Sequence, residues 1–359
     1  MIVKDEELTL DRILSQVVQF ADELIVVDTG SQDNSKEIAK KYTNKVYDYE
    51  WQNDFSKARN HAFSYSTMDY IMWLDADDHI PDSSIQELNR LKQYIVDSDV
   101  VMLPYIVSSD EFGNATFSYF RERIVKNNGE FLFSGFVHEA IVPKGKIMHK
   151  NIPIMHKKVK SGNPRRNLDI YLANKKARVT FSPRQQFYFA CEYYYNELYG
   201  DAIIEFEKFL TLPQSYVENK IQACLNLMRI YKIREEYDIA IKMAYRSFLY
   251  DTPRPEILVE LGNIYLYLKD YIRAIYWYRL AIQPTTTNGG FKEIDSYGYI
   301  PLVQIGLCYY YLGDYKKAYR YNHRALKYKP FSTLVLDNEK IYLSLLDKNI
   351  SSDRKDLNN

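Results

Sequence analysis

The chain has 359 residues, which is enough for two hydrophobic cores and more than one compact domain usually holds. Lysine plus arginine equals aspartate plus glutamate at 47 each, so no net charge draws the protein to nucleic acid or to an anionic membrane. Cys191, Cys224 and Cys308 lack metal-like spacing, and the longest apolar runs fall far below the roughly 18 residues of a transmembrane helix. These features predict a two-domain protein of the reducing cytoplasm without a transmembrane segment.

The first half of the chain alternates short β-rich runs with helical patterns. In chain order, the predicted elements are a strand at Glu23–Asp28, a helix near Asn34–Lys41, a strand at Val46–Glu50, a helix at Phe55–Ser66 and a strand at Tyr70–Leu74. This order predicts an α/β domain with a mostly parallel sheet and helices on both faces. Ligands of such sheets bind beyond the carboxyl ends of the strands, where Asp28 and Asp75 both fall.

Further elements are predicted up to a linker. They are a helix from Pro81 to about Asp97, strands at Val100–Val107, Phe117–Lys126 and Ile152–His156, and a polar turn at Ser108–Asn114. The segment Lys157–Arg166 is rich in Lys, Ser, Gly, Asn and Pro, which is typical of a linker.

A helical pattern then occurs four times. Its small residues at the crossing of the second helix are Ala202, Ala240, Ala274 and Ala318, and nine residues earlier stand Tyr193, Tyr231, Tyr265 and Tyr309. Twelve residues before each small residue stand Ala190, Met228, Gly262 and Gly306. The pattern resembles the tetratricopeptide repeat. The spacings are 38, 34 and 44 residues, and the last excess predicts a loop insertion around Pro284–Ile294.

The segment Asp75-Ala76-Asp77-Asp78 is the sharpest chemical signal in the chain. A nucleotide diphosphate leaving group gathers negative charge as a glycosidic bond breaks, and a divalent cation held by carboxylates neutralises it. An isolated acidic pair of this kind is more often a solvated helix cap, so its context decides between the two interpretations.

Three motifs supply that context, in this order: Glu23-Leu-Ile-Val-Val-Asp28-Thr-Gly-Ser31-Gln-Asp33, Asp54-Phe-Ser56-Lys-Ala58-Arg59-Asn60 and Trp73-Leu-Asp75-Ala-Asp77. Together they resemble glycosyltransferase family 2, which has the GT-A fold, over roughly residues 1–156. The similarity is strongest to members with a tetratricopeptide tail, which include bacteriocin S-glycosyltransferases and other bacterial transferases that modify proteins or surface glycans.

The resemblance implies roles for residues of the donor site. Asp28 would face the uracil or ribose of a UDP-sugar, although a turn or helix-capping role is the alternative. Asp75 would contact the ribose or the sugar, and Asp77 would bind Mn²⁺ or Mg²⁺ through the diphosphate. Arg59 and Asp54 would also belong to the donor-binding site. Arg59 could touch phosphate or donor, or could pair with Asp54 to brace the helix.

The segment Gly135-Phe136-Val137-His138-Glu139 resembles the acceptor side of the same family. A displacement at the anomeric carbon needs a base for the acceptor proton, and the resemblance makes Glu139 the first candidate and His138 the second. A strand-end pair that fixes a loop is the alternative. His156 matches a family histidine that could complete the metal site, and a core or surface histidine is the alternative.

Two features depart from the family pattern. Relatives usually carry several residues before Met-Ile-Val-Lys, so the first strand is predicted to be short. The family's His-x-Gly-Tyr is replaced by His156-Lys157-Lys158-Val159, so the residues that the family uses for the donor-pocket lid are not the same in this chain.

The sequence as a whole predicts four regions: a transferase domain at 1–160, a linker and connecting helix at 161–185, repeats at 186–347 and a disordered tail at 348–359. The expected activity is metal-dependent, inverting transfer of a glucose-type or N-acetylglucosamine-type hexose from a UDP-sugar to a peptide or protein. The alternatives are a surface-polysaccharide or lipid-linked glycan acceptor, and a non-catalytic repeat scaffold with a decayed transferase domain. The repeats would bind the acceptor, a partner protein or a second copy of the chain.

Overall fold

The computed structural model describes residues 1–110, 113, 115–157, 159, 163–283 and 292–356. The chain divides into two compact units, Met1–Glu205 and Phe206–Asn359. The boundaries that the sequence suggests near residues 160 and 185 both fall inside the first unit. None of the described helices combines the length and apolar composition needed to cross a bilayer.

The first unit begins with a small parallel sheet. Its strands are β1 (Ile2–Val3), β2 (Val26–Asp28) and β3 (Val46–Asp48), and the helices between and after them are α1 (Leu10–Val17), α2 (Ser35–Lys40) and α3 (Phe55–Phe63). Both strand pairs are parallel. The buried residues of α1 are Leu10, Ile13, Leu14 and Val17, a helical spacing that gives one apolar face to the core. The predicted β-α-β-α-β order of this region is confirmed.

A mixed sheet follows in the same unit. Its elements are β4 (Tyr70–Met72), β5 (Asp78–His79), β6 (Val100–Ser109), β7 (Ala115–Lys126), β10 (Ile147–His149) and β11 (Ile154–His156). β6 pairs in parallel with β10 and β11 and antiparallel with β7. β4 pairs antiparallel with β7, and β5 pairs antiparallel with β11. The β6–β7 pair is antiparallel because the connection is too short for the crossover that parallel strands require.

Two local details differ from the sequence-based elements. The helix after Pro81, α4 (Asp82–Leu91), ends six residues before the predicted end, and a 3-10 turn at Ile95–Asp97 follows it. β6 continues to Ser109, past the predicted start of the turn at Ser108. Residues 111, 112 and 114 of that turn lie outside the described residues, as do 158 and 160–162 of the predicted linker. A short hairpin, β8 (Phe133–Ser134) with β9 (Ala140–Ile141), holds the segment that contains His138 and Glu139.

Helices make up most of the rest of the described chain, together with a two-residue strand at Lys292–Glu293 and a 3-10 turn at Ile294–Tyr297. The helices are α5 (Arg166–Lys176), α6 (Pro183–Tyr195), α7 (Tyr199–Thr211), α8 (Val217–Ile233), α9 (Tyr237–Ser247), α10 (Pro255–Tyr267), α11 (Tyr271–Ala281), α12 (Tyr299–Tyr311), α13 (Tyr315–Ala325) and α14 (Thr333–Asp356). Residues 348–356, where a tail is predicted, continue α14, and 357–359 lie outside the described residues. So do residues 284–291 of the predicted insertion between α11 and α12.

The repeat positions read from the sequence are the contact points between paired helices. Ala240, Ala274 and Ala318 are fully buried at the starts of α9, α11 and α13. At Gly262 on α10, an added Cβ would lie 2.4 Å from the ring of Tyr278 on α11. The small residue therefore lets the first helix of this pair approach a buried aromatic ring on the second, as the repeat pattern predicts.

Replacing Gly262 by Ala tests this contact. Alanine alone would raise helix stability by about 1 kcal/mol relative to glycine. Because its methyl group would collide with the buried Tyr278 ring, we expect the free energy of unfolding to fall by about 1–3 kcal/mol instead. Urea unfolding followed by circular dichroism measures the sign. The loss should shrink when Gly262→Ala is made in a Tyr278→Leu background, and a more stable single variant would contradict the contact.

Candidate active site

The acidic loop after β4 is fixed by its own hydrogen bonds. The backbone N–H of Asp78 donates to the carbonyl of Asp75 at 3.1 Å, and the N–H of Asp75 donates to Asp78 Oδ2 at 2.9 Å. This reciprocal pair closes a tight turn at the carboxyl end of the strand. The turn holds the side chains of Asp75, Asp77 and Asp78 in defined directions.

Arg59 on α3 joins two of the predicted site residues. Its Nη2 lies 2.6 Å from Asp75 Oδ1, and its Nε lies 2.6 Å from Glu139 Oε1. The guanidinium also lies 4.9 Å from the ring centre of Trp73. Burial alone would raise the pKa of Asp75, but Arg59 and the more distant Arg123 outweigh it and hold that pKa below its usual range. Asp75 is therefore a fixed, ionised carboxylate with 27% of its side chain exposed.

Asp54 has a different partner from the one considered for it. Its Oδ1 accepts hydrogen bonds from the Ser56 hydroxyl at 2.6 Å and from the Lys57 N–H at 3.1 Å, so it caps the amino end of α3. Arg59 pairs with Asp75 and Glu139 rather than with Asp54. Asp54 therefore stabilises α3 as its N-cap, and Arg59 contacts the acidic loop instead.

Asp28 ends β2 with one carboxylate oxygen satisfied and one unpaired. Oδ1 accepts the N–H groups of Gly30 and Ser31, each at 2.9 Å, in a turn that requires the positive φ of Gly30. Oδ2 is buried and has no hydrogen-bond partner among the described residues. An unpaired buried acceptor at the carboxyl end of a parallel strand is suited to a ligand's hydrogen-bond donor.

Asp77 and His156 come together at the end of β11. His156 Nδ1 lies 3.4 Å from Asp77 Oδ1 and 3.0 Å from the Tyr105 hydroxyl, which donates to Asp78 Oδ1 at 2.9 Å. Potential ligand atoms of Asp77, Asp78 and His156 lie within 4.8 Å of one another. The hydrogen bond with Asp77 raises the pKa of His156; burial opposes this, and the surrounding carboxylates add to it.

Asp78 is committed to structural contacts. It is fully buried, and its Oδ2 lies 3.1 Å from Nη1 of Arg123, which is also fully buried between the rings of Trp73 and Tyr105. Burial raises the pKa of Asp78 to about 6, with Arg123 opposing and Asp75 adding to the shift. Among the three clustered side chains, Asp77 and His156 therefore keep the more accessible ligand atoms.

Sequence reasoning missed Arg123, Tyr105 and the structural role of Asp78. One signal was present: Arg121 and Arg123 stand two residues apart in a segment predicted as a strand, a spacing that favours one face of a sheet. Arginines next to the apolar pair Ile124 and Val125 indicate buried charge partners. The identity of those partners required the fold, because Asp78 and Tyr105 lie on other strands.

The two candidate bases point to different partners. Glu139 is 9% exposed and held by Arg59, and its backbone carbonyl accepts from Arg121 Nη2 at 3.3 Å. His138 directs Nε2 to Glu192 on α6 at 2.6 Å. The structure thus brings Glu139 to Arg59 and Asp75, while His138 contacts the first helix of the predicted repeats.

A cavity of about 550 Å³ runs along β4, and Phe20, Leu74 and Leu91 contribute to its walls. Asp28, Asp75 and Asp77 are not part of its lining. Cavity size therefore does not identify the candidate site in this fold.

Comparison with known proteins supports the resemblance drawn from the three motifs. Residues 1–149 match the sequence model of glycosyl transferase family 2. A TPR repeat-containing protein of Synechococcus elongatus is 32% identical over 141 residues, which are 39% of this chain and 34% of that protein. The SPbeta prophage-derived glycosyltransferase SunS of Bacillus subtilis is 33% identical over 144 residues, which are 39% of this chain and 33% of SunS.

A third relative and two solved structures show more limited similarity. The minor teichoic acid biosynthesis protein GgaB of Bacillus subtilis is 31% identical over 111 residues, which are 29% of this chain and 12% of GgaB. The C-terminal part of a TPR repeat-containing protein from Cytophaga hutchinsonii has a TM-score of 0.43 at 18% identity, with 52% of this chain and 68% of that chain covered. A tetratricopeptide repeat protein from Parabacteroides merdae has a TM-score of 0.40 at 12% identity, with 53% and 70% covered.

The chain spans about a third of the length of the two curated relatives named first. The resemblance inferred from the three motifs is confirmed by the family match, which covers all three. The repeat pattern is confirmed by the paired helices and by the buried small residues between them. Residues 1–149 therefore form a glycosyl transferase family 2 domain, and tetratricopeptide-like helical repeats follow it in the same chain.

Proposed function

We propose that the protein transfers a hexose from a UDP-sugar to a peptide or protein acceptor in a metal-dependent, inverting reaction. The observation that supports this most directly is the set of acidic side chains at the carboxyl end of β2 and in the loop after β4. Asp75 is ionised and held by Arg59, Asp77 stands beside His156, and Asp28 keeps a buried oxygen unpaired. Inversion follows from the family resemblance alone.

Asp77 and His156 would hold the divalent cation. Carboxylate oxygens suit Mg²⁺ and Mn²⁺, and an imidazole nitrogen beside them is compatible with Mn²⁺. When bound, the cation would neutralise charge on the diphosphate leaving group. Asp75 would accept hydrogen bonds from ribose or sugar hydroxyls, because Arg59 keeps its carboxylate ionised and fixed. Asp28 Oδ2 would accept from the uracil N–H or a ribose hydroxyl.

The displacement needs a group that takes the acceptor's proton. The acceptor atom bonds to the anomeric carbon as the bond between that carbon and the diphosphate oxygen breaks, and its proton passes to the base. Glu139 and His138 are the candidates. Taking up a proton would cost Glu139 its buried ion pair with Arg59, which favours His138 for this role.

The acceptor class has two candidates with separate support. Tetratricopeptide-like arrays offer extended surfaces that bind polypeptides, which favours a peptide or protein acceptor. Similarity to a teichoic acid biosynthesis protein favours a surface-polymer acceptor instead. Transfer of labelled sugar to peptide libraries and to teichoic-acid-type polymers separates them, and a preference for the polymers would overturn the peptide assignment.

Replacing Asp77 by Asn tests the proposed metal role. We expect manganese-dependent release of UDP from UDP-glucose or UDP-N-acetylglucosamine to fall roughly 100-fold, because charge on the departing diphosphate would lose its stabilisation. The matched control is Asp82→Asn, which alters an exposed aspartate five residues away. Equal turnover in wild type and Asp77→Asn would reject the role, and a wild type that binds no UDP-sugar would support a decayed transferase domain.

Replacing the neighbouring Asp78 by Leu tests its structural role. The change leaves three buried donors, from Arg123, Tyr105 and the Asp75 backbone, without their acceptor. We expect the free energy of unfolding to fall by at least about 3 kcal/mol. Asp78→Asn keeps one acceptor oxygen, so its free energy of unfolding should fall less, and that of Asp77→Asn should change little. Thermal and urea unfolding measure this order of stability. An Asp78→Leu protein as stable as the wild type would refute the structural role.

A further inference from the structure

His138 is held in an unusual backbone conformation by one face of helix α6. Its φ of 51° lies in the left-handed region that few non-glycine residues adopt. Its ring stacks on Tyr188 with centroids 4.2 Å apart and planes 12° apart. Its Nε2 lies 2.6 Å from Glu192 Oε1, and its carbonyl accepts from Arg184 Nη2 at 3.2 Å. The backbone, the ring plane and one ring nitrogen are thus all fixed.

The three partners share a helical spacing. Arg184, Tyr188 and Glu192 are four residues apart, so they lie along one face of α6. The helix itself is anchored at its start by a capping box between Ser182 and Gln185. A single rigid element therefore sets the orientation of the imidazole.

Glu192 is a buried carboxylate that faces His138. It is 3% exposed, and its Oε1 also accepts from Asn167 Nδ2 at 3.3 Å. Among the described residues, only His138 forms an ion-pair contact with it. A carboxylate buried to this degree stabilises a positive charge that forms next to it.

We propose that Glu192 is a positioning residue for His138 in the transfer reaction. It accepts the Nε2 hydrogen of the neutral imidazole, which leaves the Nδ1 lone pair able to take the acceptor's proton. As the acceptor atom bonds to the anomeric carbon, its proton moves to Nδ1, and the electrons of the broken bond leave with UDP. Glu192 then stabilises the imidazolium. This assignment rests on the proposed function, because it needs a base at His138.

The test compares Glu192→Gln, His138→Asn and the double variant of the full-length protein. UDP release from UDP-glucose and UDP-N-acetylglucosamine with manganese is measured, with water as the acceptor probe. We expect Glu192→Gln to lower kcat about 10-fold to 100-fold without changing the donor KM. The double variant should be no slower than His138→Asn, since both changes disable one unit. Glu197→Gln, an exposed glutamate just beyond α6, is the control.

Several outcomes would overturn the assignment. They are a Glu192→Gln enzyme with wild-type kcat, a double variant whose fold-loss of kcat is the product of the two single fold-losses, and a Glu192→Gln enzyme that loses donor binding by calorimetry.

If Glu192→Gln does not fold, nitrogen NMR of the histidine rings in the wild type decides. A hydrogen on Nε2 of neutral His138 supports the role, and a hydrogen on Nδ1 overturns it. A wild type that neither binds nor cleaves UDP-sugars would remove the proposed function itself, whereas an active wild type with an insensitive Glu192→Gln removes this inference alone.

Discussion

The buried guanidinium of Arg59 is the contact on which the site depends. It is one cation between two carboxylates that come from distant parts of the chain, Asp75 after β4 and Glu139 after β8. A guanidinium offers several fixed donors, so it can hold both acids at defined angles, which a lysine could not do. The loop after β4 and the loop between β8 and β9 are therefore positioned by the same side chain.

A second buried ion pair supports the first. Arg123 and Asp78 are both fully buried, and the Trp73 ring lies against the guanidiniums of both arginines. Charges placed this deep are costly unless they are paired, so the acidic loop cannot shift without exposing an unpaired group. The loop is held by structural charges, and the neighbouring Asp77 and His156 keep accessible ligand atoms.

Much of this arrangement could be predicted from the sequence. The order of strands and helices follows from apolar periodicity, and the motif order predicts which strand ends carry acids. The small residues of the repeats predict where paired helices cross, as the close approach of Gly262 to Tyr278 shows. Side-chain partners could not be predicted in the same way. Arg59 pairs with Asp75 and Glu139 rather than with Asp54. This pairing depends on how distant segments of the chain meet, which the local sequence pattern does not encode.

The contact between His138 and α6 also limits how such a chain could be assembled by gene fusion. A crossover placed in the segment between α5 and α6 would join a transferase sheet to a foreign helix and would discard Arg184, Tyr188 and Glu192 together. A crossover that preserves the surroundings of His138 must lie beyond α6, near the boundary between the two units at Glu205. The exchangeable module is therefore shorter than the full run of repeats.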